Sequence, residues 1–216
     1  MRNIEIKAKI DDPELKIVRV TQLIKPNGIT KVMKQHDIFF KVREGRLKLR
    51  KFQDGLGELI YYKRANKFGP KLCDYEKVTL NKSACSRIEN ILSASNGSLG
   101  IVKKTRKVYM IGQTRIHIDD VEGLGNFLEL EVVLTDEQDV ETGEKIAQDL
   151  MSKLGIKHED LIANSYIDLL NESPHESTSD STIESTSDST NESPNESTNE
   201  STNVSPNEST NEPEQL

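Results

Sequence analysis

The sequence predicts an α+β fold whose sheet is largely antiparallel, with a closed barrel as one possible arrangement. Charged and apolar residues alternate in several short segments, which is the pattern of strands with one apolar face. Predicted strands outnumber predicted helices. Most of them follow one another through short turns, such as Glu44-Gly45 and residues 54–57, and this favours antiparallel pairing.

The alternation begins near the N-terminus. Ile4 and Ile6 share one face of a predicted strand and Glu5 and Lys7 share the other, because strand side chains switch sides at every residue. The same arithmetic predicts strands at about 46–50, 115–119 and 128–134, and further candidate strands lie at about 37–43, 58–64, 73–79 and 99–109.

Four helices are predicted between and after the strands. Residues 12–14, Asp-Pro-Glu, start the first helix, which carries Leu15, Val18 and Leu23 and stops at Pro26 and Gly28. The other three are predicted at about 83–95, 137–154 and 158–170.

Composition divides the chain into a domain at 1–170 and a tail at 171–216. The whole chain has 29 basic and 36 acidic residues, and the tail holds 11 of the acidic ones and no Lys or Arg. The domain therefore has a small basic excess, with 29 basic and 25 acidic residues. The Asn/Glu/Ser/Thr-rich tail has too little apolar surface to offset the loss of chain entropy, so it is predicted to be disordered, with no partner that can be named.

Several classes of protein are excluded by composition. Cys73 and Cys85 are too few for a disulfide framework, and the first ten residues lack the apolar run of a secretory signal, so a cytoplasmic location is predicted. No apolar stretch approaches the ~18 residues of a membrane span, and no membrane partner is expected. The small basic excess of residues 1–170 favours an anionic small molecule over nucleic acid.

Like charges cluster on the predicted strand faces. Arg46, Lys48 and Arg50 share one face, and Glu129 and Glu131 share another. The faces could be solvated outer surfaces, they could pair with each other across a barrel interior, or they could bind counterions. A basic row suits phosphate oxygens, whereas a carboxylate set offers the hard oxygen ligands that Mg²⁺ or Mn²⁺ prefers.

Other motifs are weak or absent. There is no Walker A sequence, and the Gly-x-Gly pairs at 55–57 and 123–125 are isolated turns. None of the four histidines has a partner at metal-ligand spacing in the sequence. His117 lies on a charged strand face, where a hydrogen-bonding role is favoured over a catalytic one.

Three segments, 3–9, 45–50 and 115–131, resemble the CYTH family, which includes class IV adenylyl cyclases and thiamine triphosphatases. Further likeness occurs at 35–40, 58–64 and 165–170, so the resemblance spans nearly all of residues 1–170. It implies the fold of that family, a closed eight-stranded antiparallel tunnel with a charged lumen and helices packed outside.

The resemblance also implies roles for individual residues. Lys7 and Arg64 are expected to be catalytic. The residues expected to bind substrate are Lys7, Lys9, Arg46, Lys48, Arg50, Arg64, Lys104, Arg106 and Arg115. The residues expected to bind metal are Glu5, Asp119, Glu129 and Glu131. One departure is Asn3, which stands where the family's Glu-x-Glu-x-Lys signature has its first Glu and offers a carbonyl oxygen without charge.

The activity implied is a reaction on a triphosphate that depends on Mg²⁺ or Mn²⁺. Hydrolysis of tripolyphosphate, thiamine triphosphate or a nucleoside triphosphate is favoured, because it needs no nucleoside pocket. A class IV adenylyl cyclase, converting ATP to cyclic AMP and pyrophosphate, is the alternative. A module that binds triphosphate or polyphosphate without turnover is a second alternative, which Asn3 keeps open.

Overall fold

Eight strands and four α-helices make up the described residues, 1–24 and 31–172, of this computed structural model. In chain order they are β1 (Arg2–Lys9), α1 (Pro13–Leu23), β2 (Lys31–Phe40), β3 (Arg46–Phe52), β4 (Gly57–Arg64), β5 (Lys71–Leu80), α2 (Lys82–Ser95), β6 (Ser98–Ile111), β7 (Thr114–Val121), β8 (Gly125–Val133), α3 (Val140–Lys153) and α4 (Tyr166–Glu172).

The eight strands close into a barrel in the order β1-β5-β4-β3-β2-β6-β7-β8, with β8 returning to β1. Every neighbouring pair is antiparallel. The strand that completes the ring is β1, which pairs with β5 on one side and β8 on the other. The predicted fold class, including the eight-stranded antiparallel tunnel, is confirmed.

The apolar face of each strand points outward, where helices cover it. On one side, Ile6, Ile116 and Leu130 are fully buried and pack with Leu150 and Leu154 from α3 and the residues after it. Burial of each such side chain stabilises the fold by about 1.5–3 kcal/mol. The hydrophobic core therefore lies between barrel and helices, and the barrel interior is left to the opposite, charged faces.

Helix α2 covers a second outer surface, formed by β2, β3, β4 and β5. Phe40, Leu49 and Cys85 are buried there. The helix approaches very closely at Gly57, because a Cβ atom at this position would lie 2.5 Å from Cys85 Sγ and 2.6 Å from the Arg50 carbonyl oxygen. Only glycine permits this contact.

Helix α4 lies against one end of the barrel. Tyr166 and Ile167, at its start, are buried with Phe39, Val102 and Phe127 from the strands. The rings of Tyr166 and Phe127 meet edge to face, with 4.9 Å between centroids. This apolar cluster closes the end of the barrel from which β1 emerges toward α1.

Two helix predictions were wrong in detail. The helix predicted at 158–170 is a 3₁₀ turn at His158–Asp160, an extended stretch bridged to Ala8 through Leu161, and then α4. In the first helix, Leu23 packs against the core, whereas Leu15 and Val18 are 45% and 50% exposed and the buried side chain is Val20. The apolar residues of this helix do not all lie on one face, so only Leu23 of the three residues named from the sequence packs against the core.

None of the helices within residues 1–24 and 31–172 is long and apolar enough to cross a bilayer. The predicted stop at Pro26 and Gly28 and the predicted disordered tail lie outside the described residues, apart from the first two tail positions, which end α4. The described residues up to Glu172 fall within a single compact unit, Met1–His175.

Candidate active site

The barrel encloses a cavity of about 340 Å³ whose lining is dominated by charged side chains. Strand alternation causes this, because the residues between the outward apolar ones must face the interior. Nine basic and five acidic residues line it. They are Lys7, Lys31, Lys48, Arg50, Arg64, Lys77, Lys104, Arg106 and Arg115, with Glu5, Asp37, Glu58, Glu129 and Glu131.

One ion cluster is centred on Asp37 of β2, whose side chain is 1% exposed. Arg50 donates to both carboxylate oxygens at 2.8 Å, and Lys48 Nζ donates to Oδ2 at 2.9 Å. Lys104 Nζ lies 3.9 Å from the same oxygen. Burial would raise the pKa of Asp37, but Arg50 and Lys48 outweigh it and hold the pKa well below its usual range. Asp37 thus keeps three cations together in the absence of ligand.

A second cluster is centred on Arg106 of β6. Its guanidinium donates to both oxygens of Asp119, at 2.7 and 2.5 Å, and to Glu129 Oε2 at 2.5 Å. The Tyr166 hydroxyl also donates to Asp119, at 3.0 Å. Burial raises the pKa of Glu129, but Arg106 and Lys7 overcome it and hold that pKa well below its usual value. Ion pairing across the interior, left open by the sequence, is therefore present.

Lys104 lies between these clusters and carries a perturbed pKa. Burial and the neighbouring Arg106 lower the pKa of Lys104 to about 7, although Asp119 Oδ2 is 3.7 Å from its Nζ. Near neutral pH this amine is therefore only partly protonated, and an anion bound beside it would favour the protonated form.

A third group of charges lies on β1 and β4. Arg64 pairs with Glu5 through Nη1, and Lys7 Nζ lies 3.3 Å from Glu129 Oε1 and 3.9 Å from the centroid of the Tyr166 ring. Both cations are at most 3% exposed. They lie at the end of the barrel that Tyr166 of α4 covers.

Residues 161–165, here named the closing segment, run across this end of the barrel. The Ile162 amide donates to the Lys7 carbonyl oxygen at 2.9 Å, which extends the barrel's hydrogen bonding into the segment. Three consecutive carbonyl oxygens of the segment accept from buried cations. The bonds are Lys71 Nζ to Ile162 O (2.9 Å), Arg64 Nη2 to Ala163 O (3.2 Å) and Lys7 Nζ to Asn164 O (3.3 Å). The closing segment thus accepts hydrogen bonds from buried Lys and Arg groups that the acidic side chains do not satisfy.

His117 of β7 lies beside two carboxylates of β8. It pairs in register with Glu129, and Glu131 follows on the same face. Its Nδ1 atom is 3.6 Å from Glu129 Oε2 and 3.7 Å from Glu131 Oε1. The other oxygen of Glu131 accepts from Arg115 Nε at 2.8 Å. Sequence spacing gave this histidine no metal-ligand partner, because strand pairing, not sequence proximity, brings the three groups together.

Most of the residues expected to act on substrate or metal meet in this cavity. The ones that line it are Glu5, Lys7, Lys48, Arg50, Arg64, Lys104, Arg106, Arg115, Glu129 and Glu131. Three others do not. Lys9 is exposed and donates to the Leu124 carbonyl, Arg46 pairs with Asp168 at 2.6 Å, and Asp119 is fully buried behind Arg106. Asp119 holds Arg106 in place, and we leave these three residues out of the proposed site.

Sequence reasoning missed Asp37, the acid that organises the basic row of β3. The signal was present, because Gln35, Asp37 and Phe39 share one face of β2. The predicted strand began at residue 37 and so hid the alternation that starts at Lys31.

Asn3, the departure from the family signature, also lines the cavity and is 4% exposed. Its Oδ1 atom is buried without a hydrogen-bond partner among the described residues. Buried polar groups are usually satisfied, so this oxygen is suited to a ligand.

Comparison with known proteins gives a consistent picture. A protein of Methanocaldococcus jannaschii that carries the provisional name adenylate cyclase is 28% identical over 181 residues, which cover 78% of this chain and 98% of that protein. Adenylate cyclase CyaB of Aeromonas hydrophila is 32% identical over 72 residues, 33% of this chain and 38% of its own length.

Solved structures share the fold. The PH1012 protein of Pyrococcus horikoshii superposes with a TM-score of 0.65 at 24% identity, covering 77% of this chain and 98% of its own. A Vibrio parahaemolyticus protein with the provisional name adenylate cyclase gives a TM-score of 0.61 at 20% identity, covering 78% and 97%. The sequence model of the CYTH domain matches residues 1–166. With the closed barrel and its charged lumen, this match establishes that the chain belongs to the CYTH domain family.

Proposed function

We propose that the protein is an enzyme that hydrolyses a triphosphate with the help of a divalent cation. The observation that carries the proposal is the excess of basic over acidic side chains around the cavity inside the barrel. A linear polyphosphate offers oxygens along its whole length, and charge-assisted bonds from Arg and Lys suit them. Taking substrate into the cavity would neutralise charges that the protein's own acids leave uncompensated.

The basic row of β3 is the proposed grip for the chain of phosphates. Lys48 and Arg50 extend from one face and meet Lys104 from β6 around the single carboxylate of Asp37. In the ligand-free protein the carboxylate of Asp37 occupies the place of a phosphate group and keeps the three donors oriented. Phosphate oxygens could then accept hydrogen bonds from these side chains without a reorganisation of the site, which is the advantage of preorganised sites.

Lys7 and Arg64 are the proposed catalytic cations. Their positions at the closed end would let them stabilise charge on the terminal phosphoryl group as the bond to it breaks. Phosphoryl transfer needs mainly positioning and charge neutralisation, and no protein nucleophile is required. The Nε atom of Arg64 is buried without a hydrogen-bond partner among the described residues, so a donor is left over for a ligand.

The cavity also fits a divalent cation, on the evidence of its donor chemistry. Glu129 and Glu131 project from one strand face, and His117 Nδ1 beside them has no hydrogen-bond partner among the described residues. A Mg²⁺ or Mn²⁺ ion held there would supply charge neutralisation to the phosphate oxygens. Glu5 lines the same cavity but is bonded to Arg64, so we give it the role of orienting that arginine.

Cyclisation of ATP to cyclic AMP and pyrophosphate is the second candidate. It is favoured by the names of two curated relatives, of which one is named adenylate cyclase and the other carries that name provisionally. The aromatic and apolar residues of the lining, Phe52, Ile60 and Tyr75, would have to receive the nucleoside. Binding without turnover remains a third candidate because of Asn3. A cytoplasmic location and the absence of a nucleic-acid partner stay predictions.

The test is to incubate the full chain with tripolyphosphate, thiamine triphosphate and ATP, each with Mg²⁺ or Mn²⁺. Phosphate, pyrophosphate and cyclic AMP are measured separately. Release of phosphate supports hydrolysis, and equal amounts of cyclic AMP and pyrophosphate from ATP support the cyclase. Arg64→Lys is the matched variant, since it keeps the charge but removes the fork of donors. If the chain binds a triphosphate tightly but forms none of these products, the result supports a module that binds without turnover.

A further inference from the structure

His117 is a buried polar residue of the barrel interior whose Nδ1 atom lies near two carboxylates but forms no hydrogen bond within the described residues. The residue is 4% exposed, and its Nδ1 atom is buried. Leaving a buried polar atom unsatisfied is destabilising, so this atom is suited to a ligand that occupies its lone pair or accepts its proton.

The atoms nearest to this nitrogen are carboxylate oxygens. One ligand atom each from His117, Glu129 and Glu131 lies within 4.8 Å of the other two. A single cation could therefore contact all three with small side-chain movements. Oε1 of Glu131 faces the histidine, while Arg115 bonds only Oε2, which leaves Oε1 for a further ligand.

We propose that His117 binds the divalent cation of this site through Nδ1, so that the ion has one nitrogen and two carboxylate ligands. The inference rests on the proposed function, which requires a cation in the tunnel, and it names the kind of ion. Mg²⁺ strongly prefers oxygen ligands, whereas imidazole nitrogen favours transition metals. The site is therefore selective for Mn²⁺ or Co²⁺ over Mg²⁺.

The surrounding cations set the order of binding. Glu129 Oε2 accepts from Arg106, and Lys7 lies 3.3 Å from Oε1, so a metal ion approaching alone competes with two positive charges. A triphosphate would draw those cations toward its own oxygens. The metal therefore binds most tightly together with the phosphate chain.

The competing explanation is a protonated His117 that forms ion pairs with both carboxylates. The imidazolium has no lone pair on Nδ1, so it cannot coordinate a metal. The two explanations differ in whether a bound metal ion has nitrogen in its coordination shell, and that quantity can be measured directly.

The experiment loads the full chain with Mn²⁺ and a methylene-bridged analogue of tripolyphosphate, which is not hydrolysed and contains no nitrogen. Electron spin-echo modulation then detects ¹⁴N bound to Mn²⁺. We expect a nitrogen signal in the wild type, its loss in His117→Asn, and its retention in His158→Asn, a control on the exposed 3₁₀ turn. Bound Mn²⁺ without a nitrogen signal in the wild type would overturn the inference.

Calorimetry with the same analogue measures selectivity without relying on the variant. We expect the wild type to bind Mn²⁺ at least about tenfold more tightly than Mg²⁺, and His117→Asn to lose about tenfold in Mn²⁺ affinity with a smaller change for Mg²⁺. Equal affinities of the wild type for the two ions would overturn the inference. If the wild type still hydrolyses a triphosphate in that case, the proposed function stands, and if it binds neither ion nor analogue, both fail.

Discussion

Replacing Asp37 with Asn is expected to destabilise the ligand-free protein and to make its stability depend on a bound polyphosphate. The carboxylate accepts two bonds from Arg50 and one from Lys48, and Lys104 is 3.9 Å away. The amide is nearly the same size and removes only the charge. Arg50 and Lys48 would then lose the carboxylate that they bond, and Lys104 would keep only Asp119, at 3.7 Å.

The magnitude follows from the burial of the cluster. Removing one partner of a buried ion pair costs about 3–5 kcal/mol, because the remaining charge stays desolvated. For a domain of this length each kcal/mol lowers the melting temperature by about 2–4 °C, so a fall on the order of 6–20 °C is expected. A proton lost from Lys104, whose pKa is already about 7, would relieve part of the repulsion and favours the lower end.

The assay is thermal unfolding of the full chain with EDTA, with and without tripolyphosphate. Because the polyphosphate replaces the missing negative charge, the ligand should raise the melting temperature of Asp37→Asn more than that of the wild type. Asp120→Asn, an exposed position on the outer face of β7, is the control and should change neither value. A variant that melts within about 2 °C of the wild type would refute the view that Asp37 holds this cluster together.

Four further outcomes are expected. Arg50→Ala should weaken tripolyphosphate binding by roughly one to two decades in calorimetry, since it removes a charge-assisted and potentially bidentate contact, and an unchanged affinity would place Arg50 outside the site. When tripolyphosphate binds at pH 8, the protein should take up as much as about one proton, because the anion raises the lowered pKa of Lys104. Calorimetry detects this uptake as a binding heat that depends on the buffer, and Lys104→Met should abolish it. Glu129→Gln should remove activity and also destabilise the ligand-free protein at pH 7. The difference in stability between variant and wild type should shrink as the pH falls below about 4.5, because the folded-state pKa of Glu129 is held below that ordinary value. Equal stability at pH 7 would contradict the pairing of Glu129 with Arg106. A chain ending at Glu172 should keep its melting temperature, whereas one ending at Asp160 should lose the partners of Lys7 and Arg64 and unfold much more readily; similar melting of the two would contradict the role of the closing segment.

The strands could be predicted because their alternation is strict. At β1, for example, apolar Ile4 and Ile6 separate charged Glu5 and Lys7, and only one assignment of faces is consistent with this pattern. Which face is inside could not be derived in the same way. In an ordinary half-buried sheet the charged face meets solvent. Here the strands close into a ring and the charged face points inward, which the family resemblance implied and the alternation did not.

The ion pairs within the site could not be predicted from the sequence. Glu129 and Glu131 were expected to bind metal, and in the structure each has a basic partner, Arg106 and Arg115 respectively. Those partners come from other strands, and their contacts depend on strand register. A one-residue change in register would send every such side chain to the other face. His117 escaped notice as a metal ligand for the same reason.

The closing segment was misread for a different physical reason. Leu161 and Ile162 fit a helical stripe with Leu169 and Leu170, so the periodicity predicted one continuous helix. Hydrogen bonds to the barrel, such as Ile162 N to Lys7 O at 2.9 Å, take up the backbone groups that a helix would use. Tertiary contacts override local pattern in such cases.

The position of β1 in the ring has a consequence for how the chain is made. Both of its neighbours come later in the sequence, β5 from Lys71 and β8 from Gly125 to Val133. During synthesis the first strand therefore waits, unpaired on one side, until most of the domain has left the ribosome. Until then Glu5 and Lys7 remain in water, and their desolvation is deferred to the moment when β8 arrives. Because long-range pairing of this kind slows folding, closure of the ring should be the late, rate-limiting event, and the unpaired edges should be most prone to aggregation just before it.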